Sequence, residues 1–317
     1  YIDRLEPLLD RGIIPAEFQK PAGGSETLRG IIRSYLADSS PAPDDRRILD
    51  RWLTEHPDRR ALSLDYDWAR ELVRADQVER LAPSTIRHRI GALARCLDYA
   101  VRVGTLPSNP IRLLPRGFAT YSARADVERD RRLAPAEEAA IRRVLAGGYR
   151  PEGKQRALSL PDREAHALLF DLALETAMRL SELYTLATDQ IDLDARTAFL
   201  RKTKNGDDRQ VPLSSVARRE IAAWIDAGRA GEYLLPFYDG DRRKTTARIS
   251  KTWSRIFEHA GCPDMRFHDL RHEATSRFYE RTRLTDLEIS RITGHRSLTM
   301  LRRYASLRGS DLAERLW

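Results

Sequence analysis

The spacing of apolar residues is the feature that most limits how this 317-residue chain can fold. Through most of the sequence, apolar residues recur every three or four positions, which predicts amphipathic helices. Between Ile191 and Leu213 they alternate with polar residues instead, and Asn205-Gly206 supplies a strong hairpin-turn signal. From Ser214 the helical period returns. The sequence therefore predicts a mainly α fold that contains a small antiparallel β-meander.

Helical segments in the first third of the chain are separated by breaker residues. The apolar pattern predicts them at 25–36, 44–56, 65–75 and 84–103. In the last of these, Ser84 can cap the N-terminus and Gly104 can end the helix. Its apolar stripe consists of Ile86, Ile90, Leu93, Leu97 and Val101. This part of the chain is therefore predicted to form a small helical domain.

A polar stretch divides the chain into two predicted domains. It begins with Gly117 and shows no apolar period, which is typical of a linker. A new helix start follows, with Pro135 and two acids in its first turn, and a long apolar helix then runs to Met178. The predicted organisation is an N-terminal tail at 1–23, a helical domain at 24–116, the linker at 117–130 and a second domain at 131–317.

The charge of the chain favours a polyanionic partner such as nucleic acid. The formal net charge is +8, and only six of the 55 basic residues are lysine. A solvated basic surface fits the same charge, and a GC-rich genome would also explain the arginine bias. Arg87, Arg89 and Arg95 lie on the predicted helix 84–103 and are candidate contacts to a DNA backbone. The alternative for them is an ordinary solvated helix face.

Composition argues against several other classes of protein. The chain is 41% hydrophobic and 32% charged, as in globular proteins, and no apolar run approaches the roughly 18 residues of a membrane helix. Cys96 and Cys262 are far apart and match no metal or disulfide pattern. We therefore expect a cytoplasmic protein with no membrane association.

The second domain carries a spaced set of chemically active side chains. Arginine forks suit phosphate oxygens, histidine and lysine can move protons, and tyrosine can attack phosphorus and hold it covalently. Together these groups could act on a DNA phosphate without a metal or cofactor. The candidates for catalysis are Arg179, Lys204, His268, Arg271, His295 and Tyr304, and the supporting candidates are Glu182 and His272.

Each of these signals also has a simpler interpretation. His268 and His272 are four apart and could bind zinc on one helix face, although Asp269 stands where the zinc-protease motif has glutamate and Arg271 would add a cation. Arg179 and Glu182 could be only a structural ion pair. An exposed hairpin lysine and a tyrosine that serves packing are both common. The order and spacing of the whole set are what favour a site.

In that order and spacing the chain resembles the tyrosine recombinase family, also called phage-type integrases. The family's set runs arginine, lysine, His-x-x-Arg, histidine or tryptophan, and tyrosine. Its Thr-Gly-x-Arg-x-x-Glu-Leu segment is matched at 176–183 and its Leu-Gly-His at 293–295. Three positions depart from the family pattern: Ala177 replaces glycine, Thr293 replaces leucine, and Ser306 stands where histidine often follows the tyrosine.

The resemblance implies a helical core-binding domain and an α+β catalytic domain that clamp duplex DNA. It implies that Tyr304 forms a 3′-phosphotyrosine, that Arg179 and Arg271 neutralise phosphate charge and that His295 donates to the phosphate. By the same resemblance His268 is the base, Lys204 is the acid, and Glu182 and His272 support the site. It further implies a nucleoid-associated protein, of a bacterium or a phage, that assembles as a homo-tetramer on two DNA sites. An accessory DNA-bending protein could join this assembly, and the segment 307–317 would be exchanged between protomers. A type IB topoisomerase, a catalytically silent DNA-binding regulator and a zinc hydrolase stay open as alternatives.

Overall fold

The computed structural model describes residues 26–122, 129–150, 157–201, 208–295, 297–302 and 304. The chain divides into two compact units, and the division falls between Glu128 and Arg129. That point lies inside the predicted linker, but the first residues of this stretch belong to the first unit. Ala119 is fully buried there, and the carbonyl of Phe118 accepts a hydrogen bond from Gln77 at 2.9 Å. The predicted tail at 1–23 lies outside the described residues.

The first unit is helical in all of its principal elements. They are α1 (Leu28–Asp38), α2 (Pro43–Glu55), α3 (Tyr66–Val78) and α4 (Pro83–Arg102), followed by a short 3₁₀ turn at Pro110–Leu113. Each helix buries one apolar face against the others, with Trp52 and Trp68 among the largest core side chains. Helix α4 contributes nine buried residues because its apolar stripe faces this core.

Helix α4 begins one residue earlier than the sequence predicts. Pro83 occupies its first turn and Ala82 precedes it, so the predicted cap at Ser84 is wrong. Proline is already fixed at a helical φ and lacks the amide that would otherwise need a partner, which makes it a good first residue. Gly104 follows the helix with φ of +78°, in agreement with the predicted end.

The second unit surrounds a central apolar helix with other helices and a small sheet. Its helices are α5 (Pro135–Ala146), α6 (Arg163–Thr176), α7 (Leu180–Tyr184), α8 (Ser215–Asp226), α9 (Arg242–His259), α10 (Phe267–Arg281) and α11 (Asp286–Thr293). Helix α6 packs against α5, α8 and α10. Trp253 lies in this core beside the rings of Phe170, Phe257 and Phe267. The helix predicted to run to Met178 ends at Thr176.

The predicted meander is a three-stranded antiparallel sheet. Its strands are β1 (Ile191–Asp192), β2 (Thr197–Leu200) and β3 (Arg209–Pro212), in the order β1-β2-β3. Ala198 pairs with Val211 and both are fully buried, while Phe199 and Gln210 point to the exposed face. The mainly α fold with a small antiparallel sheet is thus confirmed. The Asn205-Gly206 turn lies outside the described residues.

The described part of the chain contains no helix that combines the length and the apolarity required to cross a bilayer.

Candidate active site

Glu182 organises two arginines at the edge of the buried core. Its carboxylate accepts from the backbone amide of Arg179 at 2.7 Å and from the Arg179 guanidinium at 2.9 Å. It also receives the fork of Arg209 at 2.9 and 2.7 Å. Burial would raise the pKa of Glu182, but the hydrogen bonds and charge of Arg209, with those of Arg179, outweigh it and lower the pKa to about 2. Glu182 is therefore ionised whenever the protein is folded near neutral pH.

Arg209 ties strand β3 to the end of helix α11. Besides its bonds to Glu182, it donates to the carbonyl of Ile292 at 3.0 Å. A Cβ placed on Gly294 would lie 3.0 Å from the Arg209 guanidinium, and Gly294 has φ of +73°. Glycine avoids both the contact and the strained backbone. The Gly294-His295 pair in the sequence thus marks the point where the chain passes over Arg209.

Arg271 is held by backbone carbonyls in the interior of the site. It lies on α10 with 4% of its surface exposed, and it donates to the carbonyls of Ala177 at 2.5 Å and Thr293 at 2.6 Å. Burial, and then the neighbouring charge of Arg179, lower the pKa of Arg271 to about 9. A buried guanidinium is favourable only where negative charge is close. An anion at this point would relieve that cost.

The geometry of Ala177 explains how Arg271 and Arg179 come together. Ala177 adopts the left-handed conformation, with φ of 51° and ψ of 22°, and ends helix α6. The turn directs its carbonyl to Arg271 and brings Arg179 to the start of α7. Arg179 then reaches the carbonyl of Gly294 at 3.3 Å. The chain segments around 177, 271 and 294 therefore converge on one place.

Positive charge exceeds negative charge in this cluster. Arg179 and Arg209 share the carboxylate of Glu182, and Arg271 donates to carbonyls, so three guanidinium charges face one carboxylate and two formal charges are uncompensated within these four residues. Arginine stays protonated under ordinary conditions. The cluster therefore has the electrostatic character of an anion site.

Helix α10 presents three of the predicted residues on one face. His268 lies in its first turn, Arg271 follows, and the rings of His268 and His272 meet edge to face with centroids 4.8 Å apart. His272 Nδ1 forms a short hydrogen bond with the hydroxyl of Tyr304. Tyr304 is 8% exposed. The tyrosine oxygen thus reaches the His-x-x-Arg helix, as the sequence motif requires.

Tyr304 is placed by the segment that follows helix α11. Ser297 caps a 3₁₀ turn at Leu298–Leu301 by accepting from the amide of Thr299. Tyr304 lies just beyond, and its amide donates to the carbonyl of Leu301 at 2.8 Å. Its ring packs in a small cluster with Tyr279, Ile289 and Leu301. This packing and the His272 contact fix where the phenol lies.

His295 lies next to the same tyrosine and is oriented by a threonine. Its ring centroid is 6.2 Å from that of Tyr304, and its Nδ1 is 2.6 Å from the hydroxyl oxygen of Thr293. Thr293 is fully buried at the end of α11. The structure therefore brings together five of the six predicted catalytic residues, and Lys204 lies outside the described residues.

The chain is similar to known proteins over much of its length. Residues 155–310 match the phage integrase family. A shufflon-specific DNA recombinase of Escherichia coli is 34% identical over 236 residues, which are 74% of this chain and 53% of that protein. Tyrosine recombinase XerC of Mycobacterium tuberculosis is 29% identical over 234 residues, 70% of this chain and 72% of that protein.

The chain belongs to the tyrosine recombinase family. It spans about half the length of the shufflon recombinase.

Solved structures of recombinases show the same fold. A Tn1549 transposon integrase in complex with circular intermediate DNA has a TM-score of 0.65 at 18% identity, covering 92% of this chain and 100% of that chain. A lambda integrase tetramer bound to a Holliday junction has a TM-score of 0.64 at 17% identity, covering 87% and 79%. At such identities the likeness concerns the fold.

The recombinase motif did not point to every residue that builds the site. Arg209 was missed because it is one of many arginines and its partner Glu182 lies 27 positions away. The available signal was its place in the alternating segment 191–213. Arg209 falls on the same strand face as Val211, and a charged residue on a buried face needs a partner. Thr293 was noted only as a departure from leucine, and its hydroxyl bond to His295 needed the structure.

The arginines predicted to contact DNA lie on helix α4 of the first unit. Arg89 pairs with Asp76 at 2.9 Å, and Arg95 grips both oxygens of Asp45 at 2.6 Å. Arg87 and Arg95 are exposed, and Arg89 is partly buried. Exposure therefore fits Arg87 and Arg95 better than Arg89 for a contact with a backbone phosphate.

In the described part of the chain, no group of three or more His, Cys, Asp or Glu residues is arranged to hold a metal ion.

Proposed function

We propose that this chain is a site-specific DNA recombinase that cleaves one strand through Tyr304 and rejoins it to a partner strand. The tyrosine oxygen attacks a backbone phosphorus, the bond to the 5′-oxygen breaks, and a 3′-phosphotyrosine forms. A 5′-hydroxyl from another strand reverses the step. The covalent link conserves the bond energy, so the exchange requires no energy source.

One observation carries this proposal. The hydroxyl of Tyr304 is held on the helix that bears Arg271, while Arg271 and Arg179 stand in a cluster with excess positive charge. A nucleophile beside a site that suits an anion is the arrangement that phosphoryl transfer needs. The family membership of residues 155–310 and the shared recombinase fold support the same activity.

In this proposal the partly buried Arg179 and the buried Arg271 bind the non-bridging oxygens. Guanidinium forks aimed at charge that builds in the transition state contribute several kcal/mol in comparable sites, on the order of 3 kcal/mol for one donor. Glu182 supports them by holding Arg179 and Arg209. His295 contacts the phosphate, and Lys204 delivers a proton to the leaving 5′-oxygen, because lysine can release its proton where arginine cannot.

The contact between His272 and Tyr304 bears on which group accepts the tyrosine proton. The sequence-based interpretation assigned this step to His268 and gave His272 a supporting role. In the structure, His272 Nδ1 is the nitrogen in contact with the Tyr304 hydroxyl. We therefore assign His272 to holding the phenol and accepting its proton, and His268 to the rim of the phosphate site.

The substrate is duplex DNA, and the active assembly is a homo-tetramer on two sites in the cytoplasm, at the nucleoid. The net charge of +8 and exposed arginines such as Arg87 suit the DNA backbone. The lambda integrase tetramer on a Holliday junction supports four protomers. An accessory DNA-bending protein would fit this assembly. The segment 307–317, proposed to be exchanged between protomers, lies outside the described residues.

The test is covalent trapping on a nicked suicide substrate that carries the chain's own recombination site, found by mapping adducts on flanking DNA. The wild type should form an adduct that survives denaturation. Tyr304→Phe should bind DNA equally well and form none, and Tyr279→Phe, a tyrosine of the same cluster, should retain it.

Two further variants separate the histidines. His272→Ala should slow adduct formation more than His268→Ala. An adduct formed by Tyr304→Phe would overturn the proposal. Relaxation of supercoiled plasmids without strand exchange between sites would indicate a topoisomerase instead.

A further inference from the structure

The strongest unexplained contact in the site is the one between Thr293 and His295. Thr293 stands where the family usually has leucine, and its hydroxyl oxygen is 2.6 Å from His295 Nδ1. The same hydroxyl is 2.7 Å from the carbonyl of Ile289, one helical turn earlier. A buried threonine with two polar neighbours at these distances is part of a directed hydrogen-bond chain.

Proton counting fixes the direction of that chain. A threonine hydroxyl has one proton, and the carbonyl of Ile289 can only accept. If the proton pointed to His295, two oxygen acceptors would face each other at 2.7 Å. The hydroxyl therefore donates to Ile289, and its lone pair accepts from His295. His295 Nδ1 must then carry a hydrogen.

We infer that Thr293 is a positioning residue that locks His295 in the Nδ1–H form. This inference rests on the proposed function for its consequence but not for its geometry. In the neutral ring Nε2 is then an acceptor, and it repels a phosphate oxygen. Nε2 can donate to phosphate only when the ring is charged, because only the imidazolium carries hydrogens on both nitrogens.

The surroundings of His295 match a ring that charges when the anion arrives. Among the described residues, Arg179 and Arg209 contact the adjoining Gly294, Glu182 lies between these arginines, and the phenol of Tyr304 is on the other side. The arginines disfavour a charged ring, and an incoming phosphate offsets them. Leucine at position 293 would leave the ring free to donate from Nε2 while neutral, so Thr293 makes donation dependent on protonation.

The test reads the hydrogen position directly. The chain labelled with ¹⁵N-histidine is examined by multiple-bond ¹H–¹⁵N correlation without DNA. The chain has seven histidines, and the signal that is lost in His295→Gln is the signal of His295. At a pH above the pKa of the ring, wild type and Thr293→Ser should show protonated Nδ1. Thr293→Val, which keeps the shape and lacks the hydroxyl, should shift the ring toward the Nε2–H form.

Kinetics provide the second measurement. The cleavage rate of the wild type divided by that of His295→Gln should fall toward one as the pH rises above the pKa of His295, because the neutral Nδ1–H ring cannot donate from Nε2. The same ratio, measured with Thr293→Val in both proteins, should change much less with pH. Below the pKa of His295, where the ring is charged in both proteins, Thr293→Val should cleave about 10-fold slower than the wild type, within the 10–100-fold range of lost orienting partners, and Thr293→Ser should recover.

An Nε2–H ring in the wild type, or an unchanged Nδ1–H ring in Thr293→Val, would overturn the inference. The wild-type spectrum decides it even if the valine variant folds poorly. Loss of the Tyr304 adduct would count against the proposed function alone, since the spectra need no DNA.

Discussion

Arginine plays opposite parts in the two units of this protein. On helix α4 of the first unit, Arg89 and Arg95 each pair with one carboxylate, so those charges are compensated. In the second unit Arg179 and Arg209 share Glu182, and Arg271 donates to carbonyls that carry no formal charge. The sequence suggested DNA contacts for arginines of both regions. The hydrogen-bond and ion-pair partners of each arginine, which only the fold reveals, distinguish a structural arginine from one that is able to bind an anion.

Whether an arginine contributes excess positive charge depends on whether the fold gives it a carboxylate partner. An arginine with its own carboxylate would have to break that pair before binding phosphate, which costs most of what the new contact provides. Arg271 has no such exchange to make with the carbonyls of Ala177 and Thr293. The surplus in the second unit is thus available to an anion, which in the proposed function is the scissile phosphate.

The sharpest test of the comparison replaces one arginine from each region by lysine. Arg271→Lys keeps the charge but loses the fork that joins two carbonyls and a phosphate. Single-turnover cleavage of a suicide substrate should fall by about 10²–10³-fold, as for other lost transition-state donors. Arg95→Lys should cleave at the wild-type rate. An Arg271→Lys enzyme within about tenfold of wild type would show that its fork is not used.

A second test removes the shared carboxylate. Glu182→Gln leaves the partly buried Arg179 and Arg209 with less compensation, and breaking a buried ion pair typically costs 3–5 kcal/mol of unfolding free energy. Cleavage should fall by roughly 10–100-fold because Arg179 loses its orienting partner. Asp45→Asn in the first unit should reduce stability and leave cleavage unchanged. Equal effects on cleavage would erase the distinction between the two regions.

The same carboxylate sets an acid dependence. Its pKa is lowered from 4.5 to about 2 in the folded protein, so its contribution to stability is full above pH 4.5 and is lost as pH falls toward 2. At 1.36 kcal/mol per unit, that contribution is about 3 kcal/mol. Urea unfolding should therefore show the difference between wild type and Glu182→Gln shrinking across this window. A difference in unfolding free energy that stayed constant would show that the pKa of Glu182 is not lowered in the folded protein.

A smaller effect is expected for DNA affinity. Arg87 and Arg95 are both exposed on α4, and Arg95 grips Asp45 with its guanidinium fork. If Arg87 neutralises a phosphate, Arg87→Ala should lower the slope of log affinity against log salt by about 1, and Arg95→Ala should leave it unchanged. Fluorescence anisotropy over a salt series measures both slopes. A reduced slope for Arg95→Ala would mean that its ion pair opens on DNA.

Much of this architecture could be predicted from the sequence, because period and turn signals are local. The helices and the alternating segment follow from apolar spacing, and the motif placed His268, Arg271 and Tyr304 in one site. The bond of Arg209 to Glu182 and that of Thr293 to His295 could not be predicted, since the first spans distant segments and the second depends on a rotamer at a helix end. The cap expected at Ser84 failed because Pro83 competed for the same turn.

The last prediction concerns Ala177, whose backbone connects Arg179 to Arg271. At φ of 51° its backbone is strained, because Cβ lies close to the following carbonyl oxygen, and this conformation costs an ordinary residue roughly 1–2 kcal/mol. Ala177→Gly removes the strain but adds about 0.5–1 kcal/mol of chain entropy to the unfolded state. Ala177 is also fully buried, so the loss of its methyl, at about 0.8 kcal/mol, offsets the remaining gain. We expect an unfolding free energy close to that of the wild type, with cleavage unchanged. Ala173→Gly, buried in the regular part of the same helix, should instead lose at least about 1 kcal/mol. Should both variants lose the same stability in urea, the left-handed turn at 177 is not the strained point that organises the site.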